Sequence, residues 1–190
     1  VMRLRREAPT CRPAFVEGKY LEAVQVVHPL IADCVPNTLT LDGTGLLLTG
    51  SNMSGKTTFV RTVMLNALLG ETICTCFAEG FTIPYMRLYS SIRISDDISE
   101  GTSYYLQEVL TVKRLLEAAE QPAPCLFVLD ELFKGTNTTE RIAAGKAVLA
   151  HLNRGPHIVL AATHDIELAE LLRGCLLYTS DAADDLLCVD

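Results

Sequence analysis

Apolar positions along the chain alternate between short continuous runs and longer segments in which they recur every three or four residues. Continuous runs of this length are typical of buried strands, and the three- or four-residue spacing is typical of amphipathic helices. The runs predicted to be strands are residues 21–27, 39–41, 46–49, 86–91, 125–129 and 158–162. The segments predicted to be helices are residues 56–69, 102–119, 138–153 and 165–173. Residues 72–84 fit neither pattern clearly.

The order of these elements predicts the fold class. Strands that alternate with helices favour an α/β fold built on a mostly parallel sheet, with helices on both faces. Gly70 and Gly174 stand where the first and last helices are expected to end, and the two prolines in residues 121–124 separate the second helix from the next strand. The chain has 190 residues, of which 49% are apolar, so it can bury one sizeable core.

The alternating pattern stops after Gly174. Residues 175–185 resemble the in-frame translation of a transposon-end sequencing adaptor, so we interpret residues 175–190 as a non-native tail. The alternative is an ordinary acidic C-terminal tail. The expected organisation is a lead-in from a preceding domain at residues 1–20, one domain at residues 21–174 that is truncated at its C-terminal end, and this tail.

The charge of the chain bears on its partners. Four acids and no lysine or arginine lie in residues 175–190, so leaving these residues out raises the formal net charge from −7 to −3. An acidic balance argues against a broad basic surface for DNA phosphates, so contact with DNA is expected outside this segment. No apolar run approaches the roughly 18 residues that span a bilayer, and no leader-like segment is visible, so we expect a cytoplasmic protein without membrane contact.

A phosphate-binding pattern, G-x-x-x-x-G-K-[ST], matches Gly50-Ser-Asn-Met-Ser-Gly-Lys-Thr57, which lies between a predicted strand and a predicted helix. Glycines let the backbone N–H groups of such a loop point inward around phosphates, and the helix that follows presents the positive end of its dipole. Lys56 would neutralise the β and γ phosphates of ATP, and the Thr57 hydroxyl would ligate Mg²⁺. The alternative is a chance glycine-rich turn. The residues predicted to bind ATP are Gly50, Ser51, Asn52, Met53, Ser54, Gly55, Lys56, Thr57 and Thr58.

Two carboxylates follow a continuous apolar strand at the predicted C-terminal edge of the sheet. Asp130 and Glu131 end the run that begins at Cys125, so both should emerge beside the phosphate loop. Asp130 would hold the Mg²⁺ shell, and Glu131 would orient and deprotonate the attacking water. The alternative for the pair is a solvated strand end.

A histidine follows the next strand, at the same predicted edge of the sheet. His164 could sense the γ-phosphate or position the water. The alternative is a capping and loop-packing role for Thr163, His164 and Asp165. With Lys56 and Glu131, His164 completes the predicted catalytic set.

These motifs together resemble those of the MutS family of mismatch-repair ATPases. The Asn52-Met53 pair is similar to the interior of that family's phosphate loop, residues 130–138 to its acidic motif, and residues 162–164 to its histidine motif. Residues 95–103 resemble the segment whose serine reaches the nucleotide of the partner subunit. The resemblance extends over nearly the whole chain that precedes the tail.

The resemblance implies a P-loop ATPase domain of the ABC type, which binds ATP with Mg²⁺ and hydrolyses it to ADP and phosphate. It also implies that two nucleotides lie between two subunits, in a homodimer or a MutS-like heterodimer. DNA would be bound through domains absent from this chain, and hydrolysis in the intact protein would depend on DNA. Ser103 would contact the partner's nucleotide, aided by the N-terminal end of its helix, and an N-cap serine is the compatible alternative.

Three positions depart from the usual pattern of the mismatch-repair proteins: Ser54 replaces a glycine, Thr102 an arginine that bacterial members often have, and Asn137 a frequent serine. These variations look more like the shorter MutS-like relatives. The leading hypothesis is a domain that couples nucleotide state to DNA (mismatch) binding, and the alternative is a conformational switch without mismatch recognition. A transporter-type ATPase is disfavoured because the chain lacks the Leu-Ser-Gly-Gly-Gln signature.

Overall fold

A computed structural model of the chain describes residues 9–50, 54–92, 104–133 and 136–179. The strands are β1 (Ala14–Phe15), β2 (Tyr20–Val26), β3 (Asn37–Asp42), β4 (Gly45–Leu48), β5 (Gly80–Ile83), β6 (Arg87–Ser91), β7 (Cys125–Asp130), β8 (Ile158–Ala162) and β9 (Leu176–Thr179). The helices are α1 (Lys56–Ile73), α2 (Tyr104–Ala119), α3 (Thr138–Leu152) and α4 (Ile166–Leu172). Within the described ranges, no helix has both the length and the apolar character that a membrane span requires.

Five strands form a parallel sheet in the order β6-β7-β8-β4-β9. β4 and β8 are buried throughout, and β7 is buried except at Asp130, its last residue. Such continuous burial is expected for the central strands of a parallel sheet that is covered on both faces. Each strand and helix predicted from the apolar pattern has a counterpart, so the α/β class and the parallel sheet are confirmed.

Successive residues of the central strands face opposite sides of the sheet. Leu46 and Leu48 belong to the same buried cluster as Val60 and Val63 of α1. Leu47 belongs to a second cluster, which the sheet shares with α2, α3 and α4. α1 therefore covers one face together with a second, smaller sheet, and the other three helices cover the opposite face.

The smaller sheet has four strands in the order β1-β5-β2-β3. β2 pairs antiparallel with both β3 and β5, and β1 pairs parallel with β5. β5 lies within residues 72–84, the segment that fitted neither the strand pattern nor the helix pattern. Its four residues begin with Gly80 and are too few to show a clear alternation, and its pairing with β2 joins segments that are distant in the sequence.

α1 continues past Gly70, so the prediction that the helix ends there was wrong. A methyl group built on Gly70 would lie 3.0 Å from Cys76 Sγ and 3.2 Å from Pro13 Cγ. The glycine therefore permits a close approach between the helix and these two residues, and it serves packing rather than helix termination. The helix ends at Ile73, and Cys74 follows in the left-handed region with φ 50°, where its N–H donates to Gly70 O at 3.1 Å.

The last described strand lies in the segment interpreted as a tail. β9 pairs in parallel with β4, beginning with Leu176 opposite Gly45. A methyl group built on Gly45 would lie 2.6 Å from Val159 O and 2.7 Å from Leu176 Cδ2, so glycine permits this close approach. β9 is thus the fifth strand of this sheet within the described residues. The foreign origin of residues 175–190 stays a prediction that the encoding DNA would test.

A buried asparagine fastens α1 to the rest of the domain. Asn66 is fully buried, and its Nδ2 donates to Val27 O at 3.1 Å and to Thr62 O at 2.9 Å. Its Oδ1 accepts the Phe77 N–H at 2.6 Å. Val27 follows β2 and Phe77 precedes β5, so one side chain ties the helix to two segments that flank strands of the smaller sheet. Because buried backbone groups need such partners, Asn66 holds the helix that begins at the predicted phosphate loop.

Replacing Asn66 with alanine should lower the free energy of unfolding by about 2–4 kcal/mol, because a buried carbonyl and a buried N–H each lose this partner. Chemical denaturation measures the change. Asn37→Ala is the matched control, because the Asn37 side chain donates to Val35 O at 2.9 Å in an exposed position. Its cost should stay within about 0.5 kcal/mol. Equal losses in the two variants would contradict the anchoring role of Asn66.

Candidate active site

Three neighbouring strands of the parallel sheet end together. Leu48, the last residue of β4, is paired with Ala162 of β8, which is paired in turn with Asp130 of β7. The hydrogen bonding continues one residue further on both sides. Thr163 N–H donates to Leu48 O, and Glu131 N–H donates to Ala162 O, each at 2.9 Å. The segments that follow these strands therefore leave the sheet side by side, at the edge where ligands bind in open α/β folds.

The predicted phosphate loop follows β4 and leads into α1. Gly50 has φ 133° and Gly55, the N-cap of α1, has φ 80°, values that glycine adopts without strain. Lys56 is 5% exposed, and its Nζ donates to Gly50 O at 2.7 Å and lies 3.5 Å from Ser54 Oγ. The ammonium group is thus held by oxygens of the loop itself. Three predicted loop residues lie outside the described residues: Ser51, Asn52 and Met53.

Two side-chain oxygens that can ligate a metal ion lie together at the start of α1. The Thr57 hydroxyl donates to Asp130 Oδ2 at 3.0 Å, which joins the helix to the end of β7. Proteins bind Mg²⁺ through one or two groups of this kind, while water and substrate phosphates supply the remaining ligands. The pair fits that donor set. The carbonyl of Thr58, the next residue of the helix, accepts the Thr62 hydroxyl at 2.8 Å.

The carboxylate after β7 and the histidine after β8 are in direct contact. Glu131 Oε1 lies 3.0 Å from His164 Nδ1, and the two side chains are 14% and 40% exposed. Glu131 has φ 52°, in the left-handed region that residues other than glycine rarely adopt. Strained positions of this kind concentrate at functional sites. A sheltered carboxylate beside an imidazole is a pair that can orient a water and accept its proton.

An ion pair that the sequence did not predict lies next to the histidine. Arg141 Nε donates to Asp165 Oδ2 at 2.8 Å and Arg141 Nη2 donates to Asp165 Oδ1 at 2.7 Å, and the side chains are 16% and 10% exposed. Through these bonds the Arg141 guanidinium holds the pKa of the Asp165 carboxyl below its usual range, and the carboxylate raises the pKa of Arg141. The two residues are 24 positions apart, so no helical or strand spacing signals their contact.

The residues on either side of His164 have local roles. Asp165 is the N-cap of α4 but makes no side-chain cap bond, because Arg141 engages its carboxylate. Thr163 is 6% exposed, and its hydroxyl accepts the Asp165 N–H at 3.1 Å. The alternative interpretation of this segment, capping and loop packing, therefore describes Thr163 and Asp165, whereas the His164 ring contacts Glu131.

The segment between the acidic pair and α3 ends in a helix cap. Asn137 Oδ1 accepts the Glu140 N–H at 2.9 Å, and the Thr136 hydroxyl donates to Glu140 Oε2 at 2.5 Å. The Thr136 and Asn137 side chains lower the pKa of Glu140 by hydrogen bonding to it. Asparagine and serine are both strong N-caps, so Asn137 preserves the cap that a serine would form here. Lys134, Gly135 and Ser103 lie outside the described residues.

In the Asp165→Asn variant, the free energy of unfolding should fall less steeply than in the wild type as the pH is lowered. The folded-state pKa of Asp165 is depressed, so its contribution is fully present above the unfolded-state pKa of about 3.9 and is lost as the pH falls through the folded-state value. Denaturant unfolding between about pH 5 and pH 2 should therefore show a steeper loss in the wild type than in the variant. Asp42→Asn, at an exposed position of β3, should keep the wild-type slope. Identical slopes in all three proteins would contradict the stabilising role of the ion pair.

Comparison with known proteins identifies the family. The family model described as MutS domain V matches residues 46–178, which contain the three strand ends and every site residue named above. The DNA mismatch repair protein MutS of Staphylococcus aureus strain JH9 is 31% identical to the chain over 170 residues, as are those of strains Newman and JH1. Each match covers 84% of this chain and 19% of the relative, so the chain spans about a fifth of the length of these relatives. The chain therefore belongs to the MutS family and carries its domain V.

Proposed function

We propose that this chain is an ATP-binding and ATP-hydrolysing domain of the P-loop, ABC-ATPase-like class. The proposal rests on one arrangement. At one edge of the sheet, the Thr57–Asp130 pair lies next to the Glu131–His164 pair. The first pair has the donors that Mg²⁺ takes, and the second can activate water. Because Asp130 and Glu131 are consecutive, the two pairs are necessarily neighbours.

Phosphate binding is assigned to the loop and to the start of α1. In the proposed complex Lys56 Nζ exchanges the Gly50 carbonyl for the β and γ phosphates, which are charged partners in place of a neutral one. The positive end of the α1 dipole favours an anion at the same place. Thr57 and Asp130 would hold Mg²⁺, which neutralises phosphate charge when it is bound.

Hydrolysis requires a water in line with the γ-phosphate and an acceptor for its proton. Glu131 is the proposed base. The water oxygen bonds to phosphorus, the bond from phosphorus to the ADP oxygen breaks, and the water proton passes to the Glu131 carboxylate. His164, at 3.0 Å, orients this carboxylate and can pass the proton on to the released phosphate. The products are ADP and phosphate.

The proposed biological role is to couple the nucleotide state of a dimer to the binding of mismatched DNA. The support is the family membership and the name DNA mismatch repair protein that the relatives carry. The chain has a net charge of −7, or −3 without residues 175–190, and it spans 19% of the relatives' length, so we assign DNA contact to other domains. In a homodimer or a MutS-like heterodimer, Ser103 of one subunit would contact the nucleotide of the other.

A second candidate function is that of a MutS-like ATPase that acts as a conformational switch without mismatch recognition. Ser54 and Thr102 favour it, because both depart from the usual mismatch-repair pattern. Asn137 does not, because it caps α3 as a serine would. The N-terminal sequence of the full-length protein separates the two candidates, since only the first requires a mismatch-reading domain.

Glu131→Gln in the full-length protein should keep ATP binding while it lowers steady-state hydrolysis by about 10²- to 10⁴-fold, because the amide cannot accept the water proton. Titration with a fluorescent ATP analogue measures binding, and phosphate release measures hydrolysis. Glu117→Gln is the matched control, because the Glu117 side chain is 63% exposed and pairs with Lys113 on the same helix. Unchanged turnover in Glu131→Gln would remove Glu131 from the role of base.

Ser103→Ala should lower hydrolysis in the dimer, because the family resemblance assigns this hydroxyl to the partner's nucleotide. Mixing the Ser103→Ala subunit with a Glu131→Gln subunit should restore part of the activity, since one of the two sites then combines an intact Glu131 with an intact Ser103. Phosphate release from the mixture measures this recovery. Normal turnover in Ser103→Ala, with a stability loss of about 1 kcal/mol, would leave only a capping role.

A further inference from the structure

The loops that carry Glu131 and His164 are joined a second time, away from the direct contact between the two side chains. The loop after β7 runs into α3, and Arg141 lies in the first turn of that helix. The loop after β8 runs into α4, and Asp165 is the residue just before that helix. The Arg141–Asp165 ion pair therefore connects the far ends of both loops.

We propose that the Arg141–Asp165 ion pair is a positioning device for the reaction, which holds His164 against Glu131 by bracing the two loops that carry them. This inference rests on the proposed ATP hydrolysis. Neither Arg141 nor Asp165 touches the reacting atoms in this proposal. Both act through the Glu131–His164 contact.

The arginine is fixed to the loop that carries the base. Arg141 N–H donates to Asn137 O at 2.9 Å, which is the first hydrogen bond of α3, and the Asn137 side chain caps the same turn through Glu140 N–H. The backbone of Arg141 is thus tied to the residue that ends the loop after Glu131. A shift of this loop would carry the guanidinium with it.

The aspartate is fixed to the loop that carries the histidine. Asp165 N–H donates to Thr163 Oγ1 at 3.1 Å, and Thr163 N–H donates to Leu48 O at 2.9 Å at the edge of the sheet. The residues on both sides of His164 are therefore anchored, Thr163 through its backbone to β4 and Asp165 through its side chain to Arg141. These two anchors limit the positions that the ring can take.

The two helices also meet one turn further along. A methyl group built on Gly145 of α3 would lie 3.2 Å from a methyl carbon of Leu168 on α4. Arg141 and Gly145 are four residues apart and so lie on the same face of α3. This close packing prevents the helices from approaching further, and the bidentate fork of Arg141 fixes both the distance and the orientation of the Asp165 carboxylate.

The pair also engages the carboxylate that neighbours the histidine in the chain. Asp165 follows His164 directly, so the two side chains leave adjacent backbone positions. Both Asp165 oxygens receive hydrogen bonds from Arg141, so this carboxylate is already satisfied while the His164 ring contacts Glu131. Without the guanidinium, Asp165 would be free to draw the ring away from Glu131.

A purely structural ion pair is the competing explanation, and a set of three variants of the full-length protein distinguishes it. Arg141→Met leaves the Asp165 carboxylate, whose side chain is 10% exposed, without its guanidinium partner, which itself destabilises the fold. Arg141→Met combined with Asp165→Leu removes both charges, an exchange that is often neutral or stabilising. Arg141→Lys keeps the charge but loses the planar fork. Lys113→Met is the control, because it removes an ion pair whose side chains are 67% and 63% exposed.

The kcat and KM for ATP, measured by phosphate release, and the free energy of unfolding are the readouts. We expect the double variant to be as stable as the wild type and to have a kcat about 10- to 100-fold lower, because a small misplacement of reacting groups costs this much. Its KM for ATP should stay within about two-fold, because the phosphate loop is untouched. Arg141→Lys should have an intermediate kcat, and Lys113→Met should match the wild type.

Wild-type kcat in a folded double variant would overturn the proposal and leave the pair a structural role. A joint loss of stability and of ATP binding in the double variant, with normal kcat for the folded fraction, would overturn it as well. Wild type and Glu131→Gln are measured alongside. If the wild type does not hydrolyse ATP, or if Glu131→Gln retains full turnover, the proposed function itself fails, whatever the Arg141 variants show.

Discussion

Two backbone hydrogen bonds just beyond the strand ends set the geometry of the candidate site. They run from Glu131 N–H to Ala162 O and from Thr163 N–H to Leu48 O, each at 2.9 Å. A slip of one residue in this register would turn every side chain of a strand to the opposite face of the sheet. Because alternate residues of β4 belong to separate buried clusters, such a slip would disrupt the packing on both faces. The side-chain distances in the site therefore follow from the register of β4, β8 and β7.

The turn after β7 adds a second constraint, because it holds two residues other than glycine in the left-handed region. Glu131 has φ 52° and Phe133 has φ 59°, and positions of this kind cost on the order of 1–3 kcal/mol each. Leu132 and Phe133 are 9% and 7% exposed, and they belong to the cluster shared with α2, α3 and α4. Burying one such side chain contributes about 1.5–3 kcal/mol, so the two side chains together can offset the strain of the two positions. The apolar anchors thus hold the turn that points Glu131 towards His164.

The charged groups of this edge are sheltered, and each is engaged by a partner. Lys56 donates to a loop carbonyl, Asp165 receives both arms of the Arg141 guanidinium, and Glu131 contacts His164. An unpaired charge in such surroundings is strongly destabilising, so these contacts contribute to stability as well as to any chemistry at the site. Limited exposure to water also strengthens the interaction of the same groups with a bound phosphate.

Local patterns in the sequence were sufficient for the types of most elements and for much of the candidate site. Residues 125–129 and 158–162 are recognisable as strands because both of their faces are buried, and the spacing of the phosphate motif depends only on neighbours in the chain. Other features arise from contacts between distant segments. The pairing of β5, the passage of α1 through Gly70 and the Arg141–Asp165 bond have no local signal. Which residues reach one edge of the sheet can be inferred from the sequence, because strand order and spacing are local properties. Which side chains meet there cannot be inferred in this way, because distances depend on register and on helix packing between distant segments.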